Sequence, residues 1–145
     1  MILSRLLKTM LTSLIILIVL FIGAIIFYFY QQNDTSIDTI DNIPSGKFED
    51  YSYETSEITT NLKDGTFIRI QFQIIVNSKQ AHKEIAERDF QLKNITIKEL
   101  TKIEEEDVKT EENIAKLESS LKTKLNDLLN EGEILEVLTT NKILQ

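Results

Sequence analysis

The side chains that could do chemistry in this chain are few and scattered. His82 is the only histidine, and the absence of cysteine excludes disulfides, thiolate metal sites and cysteine nucleophiles. The acidic run Glu104–Asp107 could attract a divalent cation, but it lacks the glycine and the alternating ligands of a calcium loop. Neither a glycine-rich phosphate loop nor a Gly-x-Ser-x-Gly segment is present. We therefore expect no catalytic residues, no cofactor and no metal site, with His82 and the acidic run exposed to solvent.

The charges are distributed unevenly along the chain. Arg5 and Lys8 precede a long apolar segment, and every aspartate and glutamate follows it. From Gln31 onward there are 14 basic and 23 acidic residues, a net charge of −9. Such a domain is repelled by nucleic acid and by anionic lipid headgroups, so we expect no nucleic-acid partner.

Residues 9–30 are predicted to form a transmembrane helix. This segment carries no charge, and its 22 residues span about 33 Å, enough for a hydrocarbon core of about 30 Å. The apolar run is longer than that of a cleaved signal peptide and ends in the aromatic residues 27–30, which favours a retained anchor. Because Arg5 and Lys8 flank its start, we expect residues 1–8 in the cytoplasm and the residues after the span on the other side of the membrane. The span has no ionisable residue, which argues against an ion or proton pathway through this helix.

Beyond the span, the sequence predicts a polar tether over residues 31–50, containing Pro44, and one domain over 51–145. A strand over 54–60, a turn at 63–65 and a strand over 66–77 form a hairpin. In the long strand the buried face comprises Ile68, Ile70, Phe72, Ile74 and Val76. On its other face we expect Arg69, Gln71 and Gln73 to form a polar interface.

Helices are predicted to follow the hairpin. Ser78 can cap a helix that begins near Lys79, and residues 92–103 favour a helix although part of this stretch also fits a strand. A helix over 113–130 has a buried stripe of Ile114, Leu117, Leu121, Leu125 and Leu128, and Gly132 is expected to end it. A last strand covers 134–144. The fold class is therefore α+β: a small antiparallel or mixed sheet with helices on one face.

Three stretches resemble one known family. Residues 60–70, TNLKDGTFIRI, resemble the "TNL-x-DG, aromatic, apolar, basic, apolar" segment of the FliL family. The matching residues are Thr60, Asn61, Leu62, Asp64, Gly65, Phe67 and Arg69. Residues 125–134, with Gly132, are similar to the end of the family's helix, and Ile143, Leu144 and Gln145 are similar to its terminal apolar-apolar-Gln. Residues 138–142 depart from the aromatic pattern that the family commonly has in its last strand.

The resemblance implies a single-pass inner-membrane protein of the flagellar basal body. It implies an outer domain similar to the stomatin-type scaffold domain, which tends to form rings, and stator proteins of the MotA and MotB type as partners. Support of the stator would serve flagellar rotation, motility, swarming and chemotaxis. Two alternatives remain: a general stomatin-like membrane scaffold unrelated to motility, and a cell-wall or division accessory protein. The second would usually show heptads where the tether with Pro44 lies.

Overall fold

The structure, a computed structural model, describes residues 2–32 and 38–145, with side chains described for 10–27 and 38–145. The chain divides into two units, residues 1–34 and residues 35–145. The first unit consists of helix α1, Ile2–Gln32. Within it, Met10–Phe27 is long and apolar enough to cross a membrane, and none of these residues is buried in a protein core. Arg5 and Lys8 belong to α1, but their side chains lie outside the described part.

The predicted tether is partly ordered at its C-terminal end. Short 3-10 helices cover Ile40–Asn42 and Phe48–Tyr51, the second of which spans the predicted domain boundary at residue 51. Tyr51 is buried, and Asp50 forms an ion pair of 3.0 Å with Lys79. The folded unit therefore begins before residue 51, because the buried Tyr51 ring and the Asp50–Lys79 ion pair hold this segment against the domain.

The second unit is built on an antiparallel sheet of four strands: β1 Ser52–Glu54, β2 Ile58–Asn61, β3 Phe67–Val76 and β4 Ile134–Leu144. The long strand β3 is central, with β1 and β2 both paired along one edge and β4 paired along the other. The β3–β4 register shifts at two places, between Gln71 and Phe72 and between Ile75 and Val76, as it does at β-bulges. The sheet is thus three strands wide where β1 or β2 pairs with β3, and two strands wide between them.

The predicted strand over 54–60 is interrupted in the structure, and Thr55 supplies the physical reason. Its backbone N–H donates to the Phe72 carbonyl at 2.9 Å, while its Oγ1 accepts from the Phe72 N–H at 3.0 Å. A side-chain hydroxyl thus takes the place of a backbone carbonyl in the ladder. The chain therefore leaves β3 after β1 and rejoins it as β2.

Three α-helices follow: α2 Lys79–Glu87, α3 Asp89–Leu100 and α4 Glu111–Asn126. The Ser78 hydroxyl caps α2 by accepting from the Ala81 N–H at 3.1 Å, as the sequence predicts. All five residues predicted on the buried face of β3 are at most 1% exposed. They form one core with buried residues of all three helices, which the following side chains represent: Ala81, Ile85, Leu92, Leu100, Leu117, Leu121 and Leu125. The helices therefore cover one face of the sheet.

The prediction that α4 extends to residue 130 and ends at Gly132 is wrong. The helix ends at Asn126, whose Oδ1 accepts from the Ile134 N–H at 2.7 Å. This contact holds the start of β4 beside the last turn of α4, so the chain between them must reverse direction. Leu128 and Leu129 remain partly buried against the core after the helix has ended.

Candidate interaction surfaces

The turn between β2 and β3 contains most of the residues of the TNL-x-DG segment, and each has a structural role. Leu62 is buried in the core at 4% exposure. The Asn61 side-chain amide donates to the Gly65 carbonyl at 3.1 Å, and the Gly65 N–H donates to the Leu62 carbonyl at 3.0 Å. Gly65 has φ +91°, which is costly for residues with a Cβ. Thr60 lies opposite Ile68 in the β2–β3 ladder.

Lys63 and Asp64 fasten this turn to the segment after α3. Asp64 Oδ2 accepts from the Glu105 N–H at 2.8 Å, and its Oδ1 accepts from the Thr66 N–H at 3.0 Å. These hydrogen bonds hold the pKa of the Asp64 carboxyl below its ordinary value, and the bond from the Glu105 N–H has the larger effect. Lys63 forms an exposed ion pair of 2.8 Å with Glu104. The turn geometry alone accounts for these two side chains, without a contact to another subunit.

The face of the sheet away from the helices carries the three residues predicted as a polar interface. Arg69 is exposed, and no hydrogen bond or ion pair ties its guanidinium to the described part of the chain. Gln71 is held internally, since its amide donates to Glu54 at 3.1 Å and to the Thr55 carbonyl at 2.9 Å. Gln73 is half-buried. Of the three residues, Arg69 is therefore the one with a charged group free to meet a partner.

Two apolar side chains of β4 extend this face, which sequence reasoning missed. Ile143 lies opposite Arg69 and is 40% exposed, while Leu138 lies opposite Gln73 and is 41% exposed. Directly opposed residues of an antiparallel pair project to the same side of the sheet. The outer face, defined here by Arg69, Gln73, Leu138 and Ile143, thus combines a cation with exposed apolar side chains. The alternation of residues in β4 could have indicated the exposed apolar side chains, but their place beside β3 depends on the β3–β4 register.

The other two residues of the resemblance lie where separate parts of the chain meet. Gln145 exchanges two backbone hydrogen bonds with Phe67, both of 2.9 Å. Gly132 has φ +79°, and a Cβ there would lie 2.7 Å from Ser78 Oγ and 2.8 Å from Ala81 Cβ. The glycine therefore permits the loop before β4 to approach the first turn of α2 closely.

Polar contacts around α2 and α3 hold the structure together at these junctions. The Tyr53 hydroxyl donates to Asp89 Oδ1 at 2.8 Å. Burial of the hydroxyl is the larger cause, and this hydrogen bond the smaller one, that raises the pKa of Tyr53 to about 12. Burial alone would raise the pKa of Asp89, but the bonds from Lys93 and Tyr53 outweigh it, so that the pKa is lowered. The His82 ring lies edge-on to the Tyr53 ring with centroids 6.3 Å apart. His82 thus packs on an aromatic side chain and is half-buried.

The acidic run Glu104–Asp107 is used for local structure. The side chains of Glu104 and Asp107 cap the short 3-10 helix Glu105–Val108 reciprocally. Lys109 pairs with Glu105 at 3.0 Å and with Glu106 at 2.7 Å. Among the described residues there is no group of three or more histidine, cysteine, aspartate or glutamate side chains that could hold a metal ion.

These features define a class: a chain with one helix of membrane-spanning length and composition, and a small α+β unit that offers exposed surfaces for binding. Comparison with known proteins makes the assignment specific. Residues 52–145 match the family described as "Flagellar basal body-associated protein FliL". The chain is also similar to the "Flagellar protein FliL" of Bacillus subtilis (strain 168), with 32% identity over 94 residues, which cover 65% of this chain and 67% of that protein.

The chain belongs to the FliL family of flagellar basal body-associated proteins. The resemblance that rests on residues 60–70 and on Gly132 and Gln145 is therefore confirmed at the level of the family. The matched region begins at β1 and includes the whole sheet and all three helices of the second unit.

Proposed function

We propose that this protein is anchored in the bacterial cell membrane by residues 9–30 at the flagellar basal body, where it self-associates and supports the stator units of the motor. The observation that carries the proposal is the match of residues 52–145 to a basal-body family in a chain whose α1 is long and apolar enough to span a membrane. The family match favours this reading over a general stomatin-like scaffold unrelated to motility.

The proposed topology follows from the charges on either side of the span. Arg5 and Lys8 precede it, and the next basic residue is Lys47. Because basic residues near a span are retained on the cytoplasmic side, residues 1–8 are cytoplasmic and residues 31–145 are extracytoplasmic. In this arrangement the domain meets the parts of the stator that lie outside the membrane.

The proposed mechanism is binding rather than catalysis. A protein that contacts the engaged state of a stator unit better than the idle state shifts the population toward engagement, and it can do so only by that difference in affinity. A ring of copies, similar to those of stomatin-type domains, would present the same contact repeatedly around one unit. Such support would serve rotation, swimming, swarming and chemotaxis.

The outer face of the sheet is the proposed contact with the stator. It presents the Arg69 guanidinium beside the exposed side chain of Ile143, with the exposed side chain of Leu138 farther along the same face, and arginine with apolar neighbours is enriched in protein interfaces. The partner surface expected from this chemistry carries a carboxylate next to apolar side chains. Gln71 and Gln73 would contact the partner mainly by van der Waals packing. The Gln71 amide already donates hydrogen bonds within the domain.

The function is tested by deleting the gene in the host bacterium and restoring it as a fluorescent fusion. We expect foci that coincide with flagellar motors, and reduced swimming or swarming in the deletion strain that the fusion restores. An even membrane distribution together with unchanged motility would contradict the proposal and favour the general scaffold. A fusion that carries only residues 1–50 is the matched control, and it should localise to the membrane without forming foci at motors.

A further inference from the structure

Helix α3 exposes an apolar stripe on its solvent side. Phe90, Asn94 and Ile97 follow the four- and three-residue spacing of one helix face, and Phe90 is 69% and Ile97 37% exposed. Lys98 lies beside them, exposed and without an ion pair to any residue that the structure describes. The α3 stripe, defined as Phe90, Asn94, Ile97 and Lys98, thus combines two exposed apolar side chains with one amide and one free positive charge, in a domain that is acidic as a whole.

An open cavity of about 220 Å³ lies between the end of α3 and helix α4. Ile103 and Leu117 supply apolar surface, while Glu99, Asp107 and Lys116 supply charged groups. An apolar cavity of about 150 Å³ is enough to hold benzene, so the ring of a phenylalanine can enter this one. Among the charged residues that line it, Glu99 is paired with Lys102 and Lys124 and Lys116 is paired with Glu112, whereas the Asp107 carboxylate forms no ion pair with the described part of the chain. The acidic cavity therefore suits an aromatic side chain that arrives with a basic neighbour.

The stripe and the cavity lie on opposite sides of the same helix. Phe90 and Glu99 are nine residues apart, and nine residues at about 3.6 per turn make two and a half turns. Glu99 points toward α4, where Ser120 donates to its Oε2 at 3.3 Å and Lys124 lies 3.4 Å from its Oε1. One copy can therefore use both surfaces at once, each with a different neighbour.

We propose that the α3 stripe of one copy docks in the acidic cavity of the next copy, with the Phe90 ring in the cavity and Lys98 directed at the acidic rim. This inference rests on the self-association in the proposed function and names its surfaces. The contact is heterologous, because two different patches meet, and repetition of such a contact closes into a ring or extends as a chain. Anchoring in one membrane confines the copies to a plane, so a contact of small area can suffice.

The absence of cysteine in the chain makes the test direct. The full-length double variant Asn94→Cys/Lys116→Cys, in native membranes, is treated with a short thiol-reactive crosslinker and resolved on a denaturing gel. A ladder of dimers, trimers and larger species is expected, because every copy carries both halves of the contact. Each single-cysteine variant alone should remain monomeric, and co-expression of the two single variants should give dimers and nothing larger.

Matched variants separate the proposed contact from random collision. Asn94→Cys combined with Thr123→Cys, an exposed position of α4 that does not line the cavity, should give no ladder. Adding Phe90→Ala to the Asn94→Cys/Lys116→Cys variant should lower the ladder yield about tenfold, as expected when a buried aromatic anchor is lost. Because Phe90 is exposed in the single copy, this change should leave the fold intact.

Dimers from Asn94→Cys alone would overturn the inference, since they would show a two-fold contact between α3 helices. A ladder that Phe90→Ala does not reduce would overturn it as well. Failure of the inference can be told apart from failure of the proposed function. Loss of the ladder with foci still at motors contradicts only the contact, whereas a ladder without foci at motors supports the contact and contradicts the flagellar role.

Discussion

Gly65 and Gly132 both adopt positive φ, but they do so in different surroundings. Gly65 turns the chain at the tip of the β2–β3 hairpin, where a Cβ would meet no atom within 4 Å. At Gly132 a Cβ would meet Ser78, Ala81 and Asn77 within 2.8 Å. Spacing within a sequence can suggest a turn glycine, but it cannot indicate a close approach to residues more than fifty positions earlier. The prediction that Gly132 ends α4 is wrong, because its positive φ serves the close approach to α2.

Substitution of each glycine by alanine should separate the two effects. Both changes incur the cost of positive φ, about 1–3 kcal/mol, and Gly132→Ala also forces the loop away from α2. We expect Gly132→Ala to lower the midpoint of thermal unfolding clearly more than Gly65→Ala, measured on the full-length protein in the same detergent. Equal shifts would contradict the close packing of Gly132 against Ser78 and Ala81.

Asp64 makes the stability of the turn depend on pH. Its pKa in the folded protein lies below the ordinary value of 3.8, because the N–H groups of Glu105 and Thr66 bond its charged form. A carboxyl whose pKa is lower in the folded than in the unfolded protein stabilises the folded state in full at pH values above the unfolded pKa. This stabilisation is lost as the pH falls through the folded pKa.

The variant Asp64→Asn should therefore unfold at a lower temperature than the parent protein near pH 7. The difference should shrink only as the pH falls below the ordinary carboxyl pKa of 3.8 toward the lower folded pKa, where the parent carboxyl becomes protonated. Asp41→Asn, which removes an exposed carboxylate from the segment before the sheet, is the matched control for the loss of one negative charge. A difference that stays constant with pH would contradict the role of the Asp64 charge.

Thr55 determines how the first edge of the sheet is built. Its side chain, 1% exposed, accepts the Phe72 N–H where a regular strand would offer a carbonyl. The segment from Ser52 to Asn61 is therefore two strands with a detour rather than one strand. Buried hydrogen-bonding groups must be paired, so this detour depends on one hydroxyl.

Replacement of Thr55 by valine keeps the shape and removes the acceptor. The Phe72 N–H is then left unpaired in the core, which should destabilise the fold by about 1–3 kcal/mol. Thr55→Ser, which keeps the hydroxyl, should cost clearly less. Denaturant unfolding of both variants measures the difference, and equal losses would show that the methyl group and not the hydroxyl matters.

The elements with one strong period could be predicted from the sequence. The alternation in β3 predicted five of its six buried residues, and Ile75, on the other face, is buried as well. Of the stripe predicted on α4, Leu117, Leu121 and Leu125 are buried, whereas Ile114 is partly buried and Leu128 lies beyond the end of the helix. The ends could not be predicted where a single side chain competes with the backbone, as Thr55 does in the sheet and Asn126 does after α4. The outer face was predicted at Arg69, but its apolar part, Leu138 and Ile143, depends on a register that shifts at two places.

At the scale of the whole molecule, an apolar helix of membrane length precedes an acidic domain of the FliL family. The proposed function assigns the outer sheet face to the stator, and the further inference assigns the two sides of α3 to neighbouring copies. These surfaces belong to different layers of the domain, so one copy can bind a stator and two neighbours together. Substitutions in one surface should therefore leave the other contact in place.

The most direct measurement is photo-crosslinking in living cells from an unnatural amino acid placed at position 69, with position 83, exposed on α2, as the control site. We expect capture of a stator subunit from position 69 and not from position 83, and loss of that capture when Leu138 and Ile143 are both changed to aspartate. Capture of wall-synthesis or division proteins alone, with no motor protein, would contradict the proposed flagellar role.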